Sequence, residues 1–323
     1  MMNLPTLADY LSTHPTVVEK AKSLEAGGQG LEISGNVWLG EDCAVIPNPA
    51  GVGYLIFSAE GLRDSLVEDD PWFAGYAAVM VNLSGIAAMG GRALAITDVT
   101  CSPSEKIATR IWQGMQAAAQ VYGVAIVGGH TVRSGGGGAS LSVAVTGHAS
   151  HRLMNRFDAK PGDHLVIAID LHGGYRDGRV FWNSSTITPS QRLQTDLEML
   201  PSLAEKGLCR AGKNISHGGI IGALLMLCHF SQVGVLLDLE SLPCPMDVEM
   251  ERWLVSSPSY GFLLAISPEN LESTLSHFTA TRITCREIGQ FTAESEITIV
   301  AEGDFEVLDF KNPASRPLAL VAD

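Results

Sequence analysis

The sequence lacks an excess of positive charge. It contains 21 Lys and Arg against 35 Asp and Glu, which gives a formal net charge of −14. Binding along a nucleic-acid backbone requires clustered Lys and Arg, because these side chains neutralise the phosphates. The composition therefore argues against a nucleic-acid partner. Any anionic ligand must be held locally, by backbone amides, by a metal ion or by a few arginines.

The sequence also lacks paired cysteines, a secretory leader and a long apolar run. Its 6 cysteines contain no Cys-x-x-Cys pair, which predicts reduced thiols instead of a zinc site or a disulfide framework. The N-terminus has no basic start followed by an apolar run. The most apolar stretch, Gly219 to Phe230, is too short to span a bilayer. These absences predict a soluble cytoplasmic protein with no membrane partner.

The chain is long and poor in charge. It has 323 residues, of which 46% are hydrophobic and only 17% are charged. This length predicts about two domains, each with a sizeable apolar core. The charged, turn-rich stretch from Arg152 to Asp163 is the predicted boundary, which gives domains at 1–152 and 160–323.

The order of the predicted elements indicates an α+β fold. Strand-like runs at 37–59 precede a helix that starts at Pro71 with Asp70 as its N-cap. A second helix start is predicted from Ser102 to Glu105, which have capping-box spacing. Because this order does not match a simple βα repeat, we expect a mixed first sheet with helices and a second α+β domain.

The segment Val124 to Ser134 reads VAIVGGHTVRS. Its β-branched run predicts a buried strand that ends at Gly128 and Gly129, whose bare amides can approach a phosphate. A tight turn is the alternative. His130 can polarise a phosphate oxygen or act as a general acid, or its ring can bond a turn carbonyl. Arg133 is either a phosphate partner or a surface residue.

Carboxylates and a helix start provide further candidate sites. Glu41, Asp42 and Glu60 stand at predicted strand ends and suit Mg²⁺, which prefers oxygen ligands; each alone is also typical of a solvated turn. The segment Ser216, His217, Gly218 precedes an apolar helix, so its amides can bind an anionic substrate group, unless Ser216 simply caps that helix. The loop 172–174 is predicted to face the same cleft.

Several segments together resemble one superfamily. They read GEDCAV at 40–45, FSAEG at 57–61, VNLSGIAAMG at 81–90 and GGHTVRS at 128–134. They are similar to GDDAAV, STD, VNLSDIAAMG and GGDTTRS in thiamine-monophosphate kinases. That superfamily also contains aminoimidazole ribonucleotide (AIR) synthetase, selenophosphate synthetase and the hydrogenase-maturation carbamoyl dehydratase. In the second half, NISHGGIIGALLML at 214–227 resembles the second domain of the same superfamily.

The resemblance implies a two-domain AIR synthase-like fold whose first domain binds ATP and forms a homodimer through its strands. It implies Mg²⁺-assisted phosphoryl transfer to a small-metabolite oxygen, or activation of that oxygen, with His130 as the catalytic candidate. The implied metal ligands are Glu41, Asp42 and Glu60, and the implied substrate-binding residues are Ser216, His217 and Gly218. The implied nucleotide-binding residues are Asp42, Glu60, Asn82, Gly128, Gly129, His130, Thr131 and Arg133.

The sequence departs from the kinase pattern at four aspartates. Glu41 and Glu60 replace two of them conservatively, whereas Gly85 and His130 carry no carboxylate. Two alternatives therefore remain, a thiamine-monophosphate kinase and a non-catalytic nucleotide-binding or scaffold protein. Selenophosphate synthetases need a reactive cysteine or selenocysteine near a glycine-rich N-terminus, and no cysteine precedes Cys43 here. The carbamoyl dehydratase ends in a cysteine-containing tail, whereas this sequence ends in LALVAD. Both activities are therefore disfavoured.

Overall fold

The computed structural model describes residues 3–27, 32–34, 37–38, 43–62, 64–134 and 137–310. Contacts divide the chain into two compact units. The first unit comprises Leu31–Met154 and Ser185–Gly207, and the second comprises Met1–Gly30, Asn155–Ser184 and Leu208–Asp323. The proposed ATP-binding and second domains at 1–152 and 160–323 stay predictions.

The helices are α1 (Leu4–Thr13), α2 (Pro15–Gly27), α3 (Asp64–Asp69), α4 (Pro71–Ala88), α5 (Glu105–Tyr122), α6 (Ser190–Glu205), α7 (Gly219–Ser231), α8 (Met250–Leu254) and α9 (Leu271–Phe278). The strands are β1 (Glu32–Ser34), β2 (Val37–Trp38), β3 (Ala44–Pro47), β4 (Tyr54–Gly61), β5 (Gly91–Ser102), β6 (Ala125–Arg133), β7 (Ser140–Ala149), β8 (His164–Ile169), β9 (Gly174–Tyr175), β10 (Phe181–Asn183), β11 (Ala211–Asn214), β12 (Gly234–Asp238), β13 (Ser257–Pro258), β14 (Gly261–Ile266), β15 (Thr284–Thr292), β16 (Ile297–Ala301) and β17 (Asp304–Val307). The mixture confirms the predicted α+β class.

The first unit is built on a five-stranded sheet with the order β3-β4-β7-β5-β6. Only β5 and β6 pair in parallel; the other neighbours are antiparallel. Side chains alternate between the two faces of a sheet. One face carries the buried residues Ile56, Val143 and Ile96 and is covered by α4. We call it the helix face and the opposite one the open face.

The two long helices of the first unit start as their local sequences require. The Asp70 carboxylate accepts a hydrogen bond from the Phe73 amide at 3.1 Å and caps α4, as predicted. The predicted cap of α5 was wrong by two residues. Ser104 is the N-cap, its hydroxyl accepting from the Ile107 amide at 3.3 Å, while the Ser102 hydroxyl donates to the Ser104 carbonyl oxygen.

Helices α4 and α5 cross at a pair of glycines. A Cβ placed on Gly75 would overlap the carbonyl oxygen of Ile111, and one placed on Gly114 would overlap the carbonyl oxygen of Trp72. Backbone therefore touches backbone at this crossing, which only glycine permits. The two helices therefore pack closely against each other, and both also contact strands of the sheet.

We expect Gly114→Ala to destabilise the protein by about 1–3 kcal/mol, because the added methyl group must push two helices apart. Gly85→Ala is the matched control on α4. A Cβ there would meet its nearest atoms at 3.9 Å, so the higher helix propensity of alanine should stabilise by up to about 1 kcal/mol. Urea unfolding of both variants measures the difference. Equal effects in the two variants would contradict the close crossing.

The second unit is built on a seven-stranded sheet with the order β11-β14-β8-β15-β12-β16-β17. Its core includes residues of α1, α7 and α8, such as Leu11, Leu224 and Trp253, packed with Ile167 and Leu263 of the sheet. A small sheet with the order β13-β10-β9 adds a hairpin to this unit. Among the described residues, no helix is both long and apolar enough to cross a bilayer.

Candidate functional site

The predicted strand end or tight turn at Gly128 and Gly129 was wrong, because both glycines lie in the middle of β6. A row of paired residues runs through this region across four strands of the sheet, from β4 to β6. Glu60 on β4 pairs with Val143 on β7, Val143 pairs with Asp98 on β5, and Asp98 pairs with Gly129 on β6. Paired residues point to the same face, and Val143 is fully buried against the helices. Glu60 and Asp98 therefore lie on the helix face, two strands and about 10 Å apart at their backbones.

Asp98 is a carboxylate that the sequence patterns did not indicate. It is 8% exposed, and its Oδ2 accepts a hydrogen bond from the Thr100 hydroxyl at 2.8 Å. Its Oδ1 lies where a Cβ on Gly129 would stand. Glycine at 129 is thus required by the neighbouring carboxylate as well as being suited to approach by a ligand. Residues 96, 98 and 100 of β5 face inward, because every second residue of a strand lies on the same face. A charged residue at one of these inward-facing positions is the sequence feature that could have identified Asp98.

The next row of residues points the other way. His130 pairs with Val99, and Val99 pairs with Ser142. Because neighbouring residues alternate, the His130 side chain lies on the open face, whereas Glu60 and Asp98 lie on the helix face. The role of His130 as a catalytic group stays a prediction, and within one chain its imidazole is separated from the two carboxylates by the sheet.

Strand β6 is the outer strand of this sheet. Its pairing with β5 leaves peptide groups on the other edge directed away from the sheet. Gly128, Gly129, Thr131 and Arg133 are all exposed there. Thr131 and Arg133 pair with Thr100 and Ser102, so they share the helix face with Asp98. Amides, a hydroxyl and a guanidinium are thereby brought to one edge, next to a carboxylate.

The remaining first-unit candidates differ in position. Glu41 and Asp42 lie outside the described residues. Asn82 is fully buried in α4, where its Nδ2 donates to the Ala78 carbonyl oxygen at 2.8 Å. Gly85 faces the sheet, and a Cβ there would stand 3.9 Å from Cys43 Sγ and from Ser58 Oγ. At the helix position that carries a carboxylate in the kinase pattern, a Cβ would therefore fit in ordinary contact with a thiol and a hydroxyl.

The donor set of the cross-strand row fits Mg²⁺. Magnesium in nucleotide sites is usually held by one or two carboxylates together with phosphate oxygens and water. Glu60 on β4 and Asp98 on β5 supply two carboxylates on one face, and Asp98 adjoins the edge strand β6. The part of the chain that the structure describes contains no group of three metal-ligating side chains, so further ligands would come from phosphate oxygens, from water or from the predicted ligands Glu41 and Asp42 outside that part.

In the second unit, the candidate substrate segment stands between β11 and α7. Gly218, with φ of +89°, is the N-cap of α7 and makes no side-chain cap. The alternative that Ser216 caps this helix was therefore wrong. His217 Nε2 lies 3.1 Å from Glu19 Oε2 of α2. The His14 side chain also lies nearby, and burial, with a smaller effect from His217, lowers the pKa of His14.

Two cysteines of the second unit, Cys209 and Cys228, are deeply buried. All six cysteines lie among the described residues and are free of disulfides. Burial raises the pKa of Cys209 and Cys228 to about 12, so both stay protonated and unreactive at neutral pH. This agrees with the prediction of reduced thiols.

Comparisons with known proteins identify both halves of the chain. Residues 40–149 match the model of the AIR synthase related protein N-terminal domain, and residues 123–302 match that of the C-terminal domain. The chain is 42% identical to the uncharacterized protein sll0787 of Synechocystis sp., over 81% of this chain and 80% of that protein. It is 28% identical to a thiamine-monophosphate kinase of Synechococcus elongatus, over 73% of this chain and 79% of the kinase.

Solved structures share the fold. AaThiL complexed with AMPPCP and TMP superposes with a TM-score of 0.63 at 17% identity, covering 95% of this chain and 99% of that one. PurL of T. maritima complexed with ATP gives a TM-score of 0.71 at 18% identity, and this chain spans 91% of its own length but 47% of PurL. These likenesses confirm the expected architecture, and the matches over both halves show that the chain belongs to the AIR synthase related protein family.

Proposed function

We propose that the protein is an ATP-dependent enzyme that transfers a phosphoryl group to an oxygen of a small metabolite, or activates that oxygen, with the help of Mg²⁺. The observation that carries this proposal is the row of Glu60, Asp98 and Gly129, which runs from β4 to the exposed edge strand β6. Two carboxylates on one face, beside bare glycine amides, form a donor set for a metal-bound triphosphate. The complexes of PurL with ATP and of AaThiL with AMPPCP and TMP support the choice of nucleotide.

Each residue of the row has a distinct task in this proposal. Glu60 and Asp98 would hold Mg²⁺, which supplies charge neutralisation of the phosphates when bound. Adjacent amides of a strand point to opposite edges, so one amide of the Gly128–Gly129 pair would bind a phosphate oxygen at the outer edge of β6, where no side chain intervenes. Arg133 would bind a further phosphate oxygen with its planar guanidinium. Catalysis would then rest on positioning and charge stabilisation.

Two other functions are weighed against this one. A thiamine-monophosphate kinase is favoured by the relative of that name and disfavoured by Gly85, which has no carboxylate where the kinase pattern has one. A non-catalytic nucleotide-binding or scaffold protein is favoured by the same loss. Asp98 argues against the non-catalytic alternative. It is only 8% exposed, and burying a carboxylate destabilises the fold, so a functional role would explain why this position is an aspartate.

We propose further that the protein is a homodimer located in the cytoplasm. The open face of the first-unit sheet carries exposed apolar side chains, among them Phe57, Val99 and Val127, around a concavity of about 520 Å³. An apolar patch of this kind on a sheet is typical of an interface. In a two-fold dimer, the open face of a second copy would cover this apolar patch with the same apolar residues.

Nucleotide-dependent thermal stabilisation tests the proposed function. ATP with Mg²⁺ at about 100 times the dissociation constant should stabilise the fold by about 2.7 kcal/mol. ATP with a chelator should stabilise it much less. Absence of any shift with nucleotide would reject the proposal and the scaffold alternative that binds nucleotides. Turnover of thiamine monophosphate would favour the kinase, and stabilisation without it would remove that alternative.

A further inference from the structure

A cleft of about 230 Å³ lies within the first unit, where the last turns of α4 and α5 meet the side of α6 and the start of β5. We call it the helix-end cleft. Its walls combine apolar side chains, among them Leu83, Ala87 and Leu197, with polar groups from β5 and α6. The volume equals that of about eight water molecules in the liquid. The cleft can therefore hold a small molecule with one ring or a short chain and is too small for a nucleotide.

The charged groups of the helix-end cleft are a guanidinium and a carboxylate. Arg92 donates from Nε to Glu198 Oε2 at 2.9 Å and from Nη1 to Glu205 Oε1 at 2.6 Å. One guanidinium is therefore shared between two carboxylates, both from α6. The Glu198 side chain is 49% exposed, so it remains accessible to a further donor. Each carboxylate oxygen can accept more than one hydrogen bond.

Two uncharged acceptors lie on the same wall. Pro201 stands inside α6 and has no N–H, so the carbonyl oxygen of Leu197, one turn earlier, lacks its usual donor within the helix. Leu197 and Pro201 both line the cleft, which places that oxygen on its wall. Gln194, which also lines the cleft, donates from Nε2 to the Val121 carbonyl oxygen at 3.0 Å. This bond fixes the amide and leaves Oε1 as an acceptor.

The ends of two helices add negative potential to the helix-end cleft. Helix α4 ends at Ala88 and α5 ends at Tyr122, and residues of the last turn of each line the cleft. The carboxyl end of a helix carries a partial negative charge. Among the described residues that line the cleft, Arg92 is the one cation, and it already binds two carboxylates. Acceptors and negative charge therefore predominate over donors.

We propose that the helix-end cleft binds a small organic cation, an amine or an amidine carried on an apolar ring or short chain. The N–H groups of this ligand donate to Glu198, to Gln194 Oε1 and to the Leu197 carbonyl oxygen. Its apolar part packs on Leu83 and Ala87. Hydrogen bonds from a charged donor to a carboxylate are stronger than those between neutral groups, so the bond to Glu198 selects for a cation.

This site is separate from the proposed phosphate site. Arg92 lies at the start of β5, and Asp98 follows six residues later on the same strand, about 20 Å away along an extended chain. A ligand in the helix-end cleft therefore does not compete with ATP. The cleft is a second ligand site of the first unit, and it does not depend on whether the protein transfers phosphoryl groups.

Three probes of one shape test the charge of the ligand. Benzamidine is a cation, benzamide is neutral and benzoate is an anion, and each carries its polar group on the same ring. Isothermal titration calorimetry compares the wild-type protein with Glu198→Gln, Pro201→Ala and Glu294→Gln. Glu294 is an exposed residue of the second unit, so Glu294→Gln is the matched control for loss of one carboxylate. Thermal unfolding checks that each variant is folded.

We expect benzamidine to bind with a Kd of about 1 mM or below, and benzamide and benzoate to bind at least about 10-fold more weakly. Glu198→Gln should weaken benzamidine binding by about 10-fold, and Glu294→Gln should leave it unchanged. Pro201→Ala supplies the N–H that the Leu197 carbonyl oxygen lacks. It should therefore weaken binding by about 3- to 10-fold without lowering Tm.

Three results would overturn the inference. The first is a benzamidine titration that shows no binding up to about 10 mM. The second is equal affinity for the three probes, because the site would then not select a cation. The third is unchanged benzamidine binding in both Glu198→Gln and Pro201→Ala, which would place the probe elsewhere on the protein. Since ATP takes no part in these titrations, each of these results leaves the proposed function standing.

Discussion

Val127→Asp is expected to convert the protein from a dimer to a monomer. Val127 is 64% exposed on the open face of the first-unit sheet, so a carboxylate there costs little in an isolated chain. In a two-fold dimer the same substitution buries two unpaired carboxylates in an apolar interface, one from each copy. We expect the dissociation constant to rise at least about 1,000-fold, or about 4 kcal/mol, measured by sedimentation velocity.

Two further variants make this result interpretable. Val127→Thr keeps the branched shape and should leave the dimer largely intact. Met246→Asp changes a residue that is 91% exposed in the second unit and should have no effect on association. Circular dichroism checks that each variant is folded. A wild-type protein that sediments as a monomer, or a Val127→Asp variant that stays dimeric, would refute the assignment of this face.

The sequence predicted those elements whose signals are local. Pro71 preceded by Asp70 marks the start of α4 because both residues act within one turn of the helix. The β-branched run before Gly128 predicted that a strand lies there, but the prediction that this strand is buried and ends at the glycine pair was wrong, because β6 is largely exposed and continues to Arg133. The cap of α5 was misplaced because Ser102 and Ser104 both precede the helix, and only the bond from Ser104 Oγ to the Ile107 amide distinguishes them. Strand β11, which reads Ala-Gly-Lys-Asn, carries no strand pattern at all.

The composition of the candidate site could not be predicted, because it depends on strand register. The pairing of β5 is irregular with both of its neighbours: Leu94 of β5 is an extra residue opposite β7, and Val127 of β6 is an extra residue opposite Ile96 and Thr97. A slip of one residue moves every side chain to the other face of a sheet. Sequence spacing therefore grouped His130 with Glu60, whereas the register puts Asp98 with Glu60 and sends His130 to the open face.

Asp98→Asn is expected to abolish most of the Mg²⁺-dependent stabilisation by ATP while leaving the fold intact. The amide has the shape of the carboxylate and can still accept from the Thr100 hydroxyl, and loss of a buried charge removes a desolvation cost. The metal, however, loses one of two anionic ligands. We expect the affinity for ATP with Mg²⁺ to fall about 100-fold, or about 2.7 kcal/mol, measured by isothermal titration calorimetry.

The choice of control separates metal binding from general charge effects. Asp304→Asn removes an equal charge from the exposed strand β17 and should leave the affinity unchanged. Glu60→Gln should weaken binding in the same direction as Asp98→Asn. Because both carboxylates contact one ion in the proposed site, the two substitutions combined should cost less than the sum of their separate effects. Strict additivity, or an Asp98→Asn protein that binds ATP and Mg²⁺ as wild type does, would place the metal elsewhere and remove the cross-strand row from the mechanism.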